Sequence, residues 1–354
     1  MVETLDIAFT RTPESKLSEV DFNNIPFGKV YSDHMFIADF DGSSWKDLRI
    51  VPYQNLSLSP ANVTLHYGQS VFEGMKAHRS PEGEVILFRP YDNFRRLNKS
   101  AERLCIPTVS EELFMGSLME LLKIDNGWVP DVQGTSLYIR PYIFATDEYI
   151  GIRPSDTYKF MIITCPVGAY YSSPVKVKIE EHYSRACDGG TGYAKAAGNY
   201  AGSLYPAKLA QNQGYQQLIW TDSNEHKYIE ESGTMNLFFV LGNKILTPKT
   251  SDSILSGITR DSVVTLAKEW GYEVEERKIS VEEVLSAAQN GELSEVFGTG
   301  TAATIAQISA IAKGDQEYEL PAVEGRVLSN RVFAELDRYK RAEIEDKYNW
   351  LVTV

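Results

Sequence analysis

Lys195 stands in the stretch GGTGYAKAAGNY (189–200), among glycines, alanines and two tyrosines. No Asp or Glu occurs from Gly189 to Thr221, although the chain is acidic overall, with a net charge of −13. Free lysine has a pKa of about 10.4 and is an ammonium at neutral pH. It becomes a nucleophile where its surroundings disfavour that charge. The acid-free setting predicts an amine without a local counter-ion, open to anions. The same composition also describes an exposed lysine on a flexible glycine loop.

A carboxylate pair, Glu230-Glu231, lies in YIEESGTMNLF (228–238) at the start of an apolar strand. Neighbours on a strand face opposite ways, so one of the two points inward. A buried carboxylate needs a positive partner; two solvated surface acids are the alternative. Two further stretches could hold an anion. LSGITRDSVVTLAKEWG (255–271) places Ser256-Gly257-Ile258-Thr259 at a helix start, where unpaired N–H groups and the dipole favour negative charge. VFGTGTAAT (296–304) reads as a strand, a Gly-Thr turn and then a helix. Gly298 and Gly300 permit close backbone approach there, and Thr299 and Thr301 offer hydroxyls. Ordinary capping and a plain tight turn explain each stretch taken alone. Neither has the lysine of a P-loop, so a nucleoside triphosphate is not implied. An activated lysine, an inward acid and phosphate-binding turns together are what pyridoxal 5′-phosphate requires.

The elements that must position these residues alternate in type. Strands are expected at 34–41, 84–90, 135–145 and 159–170, and helices at 91–104 and 111–124. A proline-containing stretch at 170–181 is the expected linker between domains 1–169 and 182–354. Beyond it the reading gives a helix ending at Gly214, either kinked at Pro206 or with a short first segment before it, and a hairpin about Gly242-Asn243. A helix follows at 258–270, then a capping box from Ser280 to Glu283. A final helix at 326–343 is expected to cover the second domain. The class is α/β (α+β), without the early GxGxxG of a dinucleotide fold.

With 354 residues, 43% hydrophobic and 23% charged, the composition is that of a soluble globular chain of two domains. The negative charge argues against nucleic acid. Three scattered cysteines suggest a reducing, cytoplasmic setting, and neither they nor the five histidines have metal-ligand spacing. No signal peptide and no membrane span are expected.

The chain resembles the branched-chain amino-acid aminotransferases, which are fold-type IV pyridoxal-phosphate enzymes. The likeness rests on LHYGQSVFEGMKA, ILFRPYDNFRRLNKSAERLCIP, GTSLYIRPYIFA, CPVGAYY, AKAAGNYAGSL, EESGTMNLFF, LSGITR and EVFGTGTAA, in order and in register. It implies a smaller N-terminal α/β domain, a larger C-terminal pseudo-barrel domain and a homodimer. It implies amino acids and 2-oxo acids as substrates, exchanged by ping-pong chemistry.

The resemblance also implies roles for residues. Lys195 would be the Schiff-base lysine and proton carrier. Glu231, rather than Glu230, would meet the pyridine nitrogen, and Tyr200 the ring O3′. Arg96, Ile258, Thr259 and Thr301 would hold the phosphate, with Thr234 and Arg185 also beside the cofactor. Phe27, Tyr67, Phe72, Tyr138 and Tyr170 would line the substrate site, Tyr67 across a dimer. Arg140 would place a carboxylate, and Thr301 and Ala302 would touch substrate. Ala303 and Ala306 stand where mammalian members carry a redox-sensitive cysteine pair. A D-amino-acid aminotransferase or aminodeoxychorismate lyase of the same fold, or a non-catalytic phosphate-ligand protein, are the rival readings.

Overall fold

The computed structural model describes residues 5–168, 171 and 173–354. Tyr170, expected at the substrate site, lies outside the described residues. The chain divides into two units. The first comprises Met1–Tyr170, Ala194–Gly198 and Arg338–Val354; the second comprises Tyr171–Tyr193 and Asn199–Asp337. The sequence reading assigns both returning segments to the C-terminal domain. With them, the first unit holds the greater share of the chain. Strand Leu351–Thr353 returns because it pairs with Val85–Phe88. The final helix, Leu328–Lys340, accordingly ends in the first unit rather than serving the second alone.

The first unit is built on a nine-stranded sheet. Its longest pair, Ser136–Ala145 against Tyr158–Val167, is antiparallel and in register over the full length of both strands. Both strands are nearly continuous apolar runs, as burial of both faces demands. Helix Glu111–Ile124 starts at Ser110, whose hydroxyl accepts the Leu113 N–H at 3.0 Å. It buries Leu113, Phe114, Leu118, Leu121 and Leu122, each contributing about 1.5–3 kcal/mol. Helix Pro90–Arg103 opens with proline, which has no donor to lose there. It buries Asn93, Leu97, Ser100 and Ala101, the i, i+4, i+7, i+8 spacing of one face.

The second unit contains a closed barrel. Six strands pair in a ring: Ile229–Ser232, Gln217–Thr221, Val175–Ile179, Thr304–Lys313, Glu295–Gly300 and Met235–Leu241, the last returning to the first. Val177, Ile219, Leu237, Phe239, Val296 and Ile311 are among the residues that fill one core cluster. Helix Ala197–Asn212 runs unbroken through Pro206. The proline removes one backbone donor, and the remaining turns keep theirs, so the expected kink does not end the helix. The helix expected after the Gly-Thr turn is a strand, Thr304–Lys313, joined to Glu295–Gly300 as a hairpin. The stretch TIAQISAI has no strict period, and barrel pairing on both sides decides for the strand. Among the described residues no helix is long and apolar enough to cross a membrane.

Candidate active site

In the first unit the backbone of Lys195 is fastened from two sides. Its N–H donates to Ser100 Oγ at 2.9 Å, and its carbonyl accepts the Phe72 N–H at 3.0 Å. Flanking Ala194 and Ala196 are buried, and Ala196 bridges to Val71. The glycine-alanine stretch is therefore packed backbone at this point, not a loose loop. The Lys195 Nζ lies 4.9 Å from the centre of the Phe72 ring.

The residue after Phe72 is an acid that the acid-free run around Lys195 did not announce. Glu73, which sequence reasoning assigned no role, is fully buried. Burial pushes its carboxyl up. The Arg96 charge and hydrogen bonds, with the charge of Lys195, outweigh that and hold it below the usual carboxylate range. Arg96 meets it through Nε at 2.7 Å and Nη2 at 2.8 Å. The acid supplied by the fold is more than a hundred positions away in sequence, which is why the acid-free run concealed it. The signal that could have found it is a single carboxylate inside the apolar run SVFEGM.

Phe72, Tyr138, Arg140 and Phe27 lie in contact with one another in a chain of ring and cation contacts. The Arg140 guanidinium lies 4.5 Å from the Phe72 ring centre and 5.3 Å from that of Tyr138. Its Nη2 donates to Tyr138 Oη at 2.9 Å, while its buried Nε has no hydrogen-bond partner. Phe27 meets Tyr138 edge-on at 5.4 Å. Only glycine fits at position 74, because a Cβ there would lie 2.2 Å from Tyr138 Oη. Tyr67 is 43% exposed on the short helix Val63–Tyr67.

In the second unit both carboxylates of the Glu230-Glu231 pair are buried, so neither the single inward acid nor the solvated pair describes them. Both side chains meet the 251–257 loop, Glu230 through Ser253 and Glu231 through Leu255. Glu231 Oε2 meets Arg185 Nη2 at 2.6 Å. Its Oε1 accepts Asn236 Nδ2 at 3.1 Å and the Leu255 N–H at 2.9 Å. These three partners are donors, so Glu231 is held as an acceptor. Glu230 differs. Burial pushes its carboxyl up; Ser253 Oγ donates to Oε1, and Oε2 has no partner.

Asn236 is a second residue the sequence reading missed. Its Nδ2 also donates to the Leu255 carbonyl at 2.9 Å, so it ties Glu231 to the loop entering helix Ile258–Glu269. Gly257 caps that helix without a side-chain bond, and Thr259 is buried in its first turn. Thr301 and Ala302 lie on the hairpin turn after Gly300, whose added Cβ would come 3.6 Å from the Thr234 carbonyl. The Thr301 turn thus neighbours the turn that carries Thr234. Tyr200 is half-buried on helix Ala197–Asn212, and Ser203 Oγ donates to its carbonyl at 2.7 Å.

These residues fit pyridoxal 5′-phosphate. Glu231 is an acceptor fixed by donors, as a pyridinium N–H requires. Gly257 has no side chain to cap this helix, and a helix start is a setting that suits a phosphate. Residues 70–311 match the amino-transferase class IV family, a class of pyridoxal-phosphate enzymes. The branched-chain-amino-acid aminotransferase 2 of Bacillus subtilis is 44% identical, over 99% of this chain and 97% of that one. A probable branched-chain-amino-acid aminotransferase of Staphylococcus epidermidis is 45% identical over 96% of each. The Escherichia coli branched-chain amino acid aminotransferase superposes with a TM-score of 0.72 at 30% identity, covering 90% of this chain and 98% of that one. The branched-chain aminotransferase of the thermophilic archaeon Thermoproteus uzoniensis, solved with norvaline, superposes with a TM-score of 0.75 at 26% identity, covering 90% and 99%. The chain belongs to the branched-chain amino-acid aminotransferases.

Proposed function

We propose that this chain transfers the amino group reversibly between L-leucine, L-isoleucine or L-valine and 2-oxoglutarate, using pyridoxal 5′-phosphate. The observation that carries the reading is Glu231, a buried carboxylate held by Arg185, Asn236 and the Leu255 N–H, three donors. When bound, the cofactor supplies an aldehyde to take the amino group and a ring to withdraw the α-carbon's electrons. The side chains do the rest. Lys195 carries the cofactor and then moves a proton between the substrate α-carbon and the cofactor C4′. Glu231 keeps a proton on the ring nitrogen, and Arg185 keeps Glu231 in place. Tyr200 donates to the ring O3′. Arg96, the amides of Ile258 and Thr259, and the hydroxyls of Thr259 and Thr301 hold the phosphate, with Thr234 beside them.

For the substrate, Phe27, Phe72, Tyr138 and Tyr170 offer aromatic walls that suit a branched apolar side chain. Thr301 and Ala302 complete that surface. The unmatched Arg140 Nε is a donor suited to a carboxylate. We place the protein as a homodimer, with Tyr67 reaching the partner. Ile150 at 70% and Ile152 at 93% exposure in the first unit, and Leu204 at 68% and Tyr205 at 62% in the second, are apolar surface that association would cover.

Lys195→Ala tests the reading. The variant should lose the visible absorption of the bound cofactor and about 1,000-fold or more in leucine turnover. Undiminished turnover overturns the assignment. D-alanine taken in preference to L-leucine would favour a D-amino-acid aminotransferase instead. Sedimentation at micromolar concentration should give a dimer, and a monomer refutes that part.

A further inference from the structure

Two backbone segments of the second unit touch at Gly192 and Ser253. A Cβ at position 192 would lie 2.6 Å from Ser253 Cα, 2.7 Å from its carbonyl carbon and 2.6 Å from Ala186 Cβ. Gly192 lies outside the left-handed region, so the requirement for glycine is steric. Carbon atoms pack at about 3.5–4.0 Å, so a side chain here would push backbone back by about an ångström. Hydrogen bonds beside the contact fasten the same two segments. The Tyr193 N–H donates to the Asp252 carbonyl at 2.8 Å, and the Gly189 N–H to Asp252 Oδ2 at 3.2 Å. Ser253 is itself buried; its hydroxyl donates to Glu230 Oε1 and stands 3.0 Å from Ser251 Oγ.

This joint frames one nitrogen. Arg185 Nη2 lies 2.5 Å from the Ser253 carbonyl oxygen, 3.3 Å from that of Gly192 and 2.6 Å from Glu231 Oε2. The nitrogen carries two N–H groups for these three acceptors. With one N–H turned to Glu231, the two carbonyls share the other, which requires them to stand close together. We propose that Gly192 and Ser253 are positioning residues, whose backbone contact holds their two carbonyls about Arg185 Nη2 and so sets that nitrogen against Glu231. The inference rests on the proposed cofactor and names what fixes the acid at its ring nitrogen. A carboxylate displaced from its donors holds a ring proton less well, so the joint acts on the chemical step rather than on substrate binding.

Gly192→Ala, Ser253→Ala, Arg185→Lys and the double variant Gly192→Ala/Arg185→Lys are compared with the parent holoenzyme. Three readouts are taken: kcat and KM for leucine, nitrogen NMR of ring-labelled pyridoxal 5′-phosphate on the protein, and urea unfolding. Gly192→Ala should lower kcat about tenfold or more and leave KM within about twofold. Its ring-nitrogen signal should move towards that of an unprotonated pyridine. Ser253→Ala loses only the hydroxyl that anchors the joint, so it should show the same signature, with kcat down about threefold. That keeps the test decisive if Gly192→Ala does not fold. Once Arg185 is lysine, Gly192→Ala should cost less than about threefold more in kcat, because the two changes act through one group. A folded Gly192→Ala with the parent kcat and ring signal overturns the proposal. So does a Ser253→Ala protein with both unchanged, or an equal cost of Gly192→Ala in both backgrounds. A parent protein with no visible band in the presence of pyridoxal 5′-phosphate overturns the cofactor reading, and this proposal with it.

Discussion

Gly257→Ala probes the link between the ring acid and the helix start. Gly257 has φ −71° and ψ 128°, which alanine adopts without strain, so any effect is steric. An added Cβ would lie 1.9 Å from Asn236 Oδ1, 3.1 Å from its Cγ and 3.2 Å from Arg260 Cβ. A relaxed contact needs more than an ångström of retreat, and the nearest atom belongs to the side chain that holds Glu231 at 3.1 Å and the Leu255 carbonyl at 2.9 Å. The bond to the carboxylate contributes about 1.5–3 kcal/mol and the neutral one about 0.5–1.5 kcal/mol. Partial loss of both, with some overpacking, gives a destabilisation of about 2–4 kcal/mol. Urea unfolding of Gly257→Ala, Asn236→Ala and the double variant measures it. The double variant should lie within about 0.5 kcal/mol of Asn236→Ala, because with the Asn side chain gone the severe clash is removed and the tight approach to Arg260 Cβ at 3.2 Å remains. A Gly257→Ala protein as stable as the parent, or strictly additive effects, would refute the reasoning.

Two pH effects follow from buried groups. The folded-state pKa of Glu230 is raised, first by burial. Stability tied to its proton is present below the ordinary Glu value of about 4.3 and is lost as pH rises through the folded value. Glu230→Gln should therefore be more stable than the parent at neutral pH, with the gain vanishing below about pH 4; melting curves at both pH values check this. His78 is buried with neither ring nitrogen bonded, and burial first, then Lys340, Lys76 and Arg341, hold its pKa well below the usual value. Its contribution is present above about pH 6.5 and is lost as pH falls through the depressed value. His78→Phe should raise stability by about 1–2 kcal/mol at pH 7 and flatten the fall towards pH 5. A parallel fall in both proteins would speak against it.

The legible parts of the sequence were those with local signals. The apolar spacing of EELFMGSLMELLK marks a helix, and a helix runs there from Glu111 to Ile124. The capping pattern at Ser280 is half used: its hydroxyl accepts the Glu283 N–H at 3.1 Å, while the Glu283 carboxylate turns to Arg277. Lys195, Glu231 and Gly257 drew attention because their neighbours are unusual within a few residues. The Thr304–Lys313 strand was misread because an apolar stretch after a Gly-Thr turn suits either a helix or a strand. The pairing partner, Glu295–Gly300, and the parallel neighbour Val175–Ile179 chose the strand.

By itself, then, the sequence determined which residues could do chemistry and which short segments would present them, because caps, turns and periodicity act over one or two turns of chain. The tertiary structure decided their partners. Glu73 reaches Arg96 on a helix 23 residues on, and Glu231 takes Arg185 and Leu255 from segments 46 and 24 residues away. A buried charge leaves no periodic trace of the group that neutralises it. The pairing is set by which strands and helices close on the same core, and that is a property of the folded chain alone.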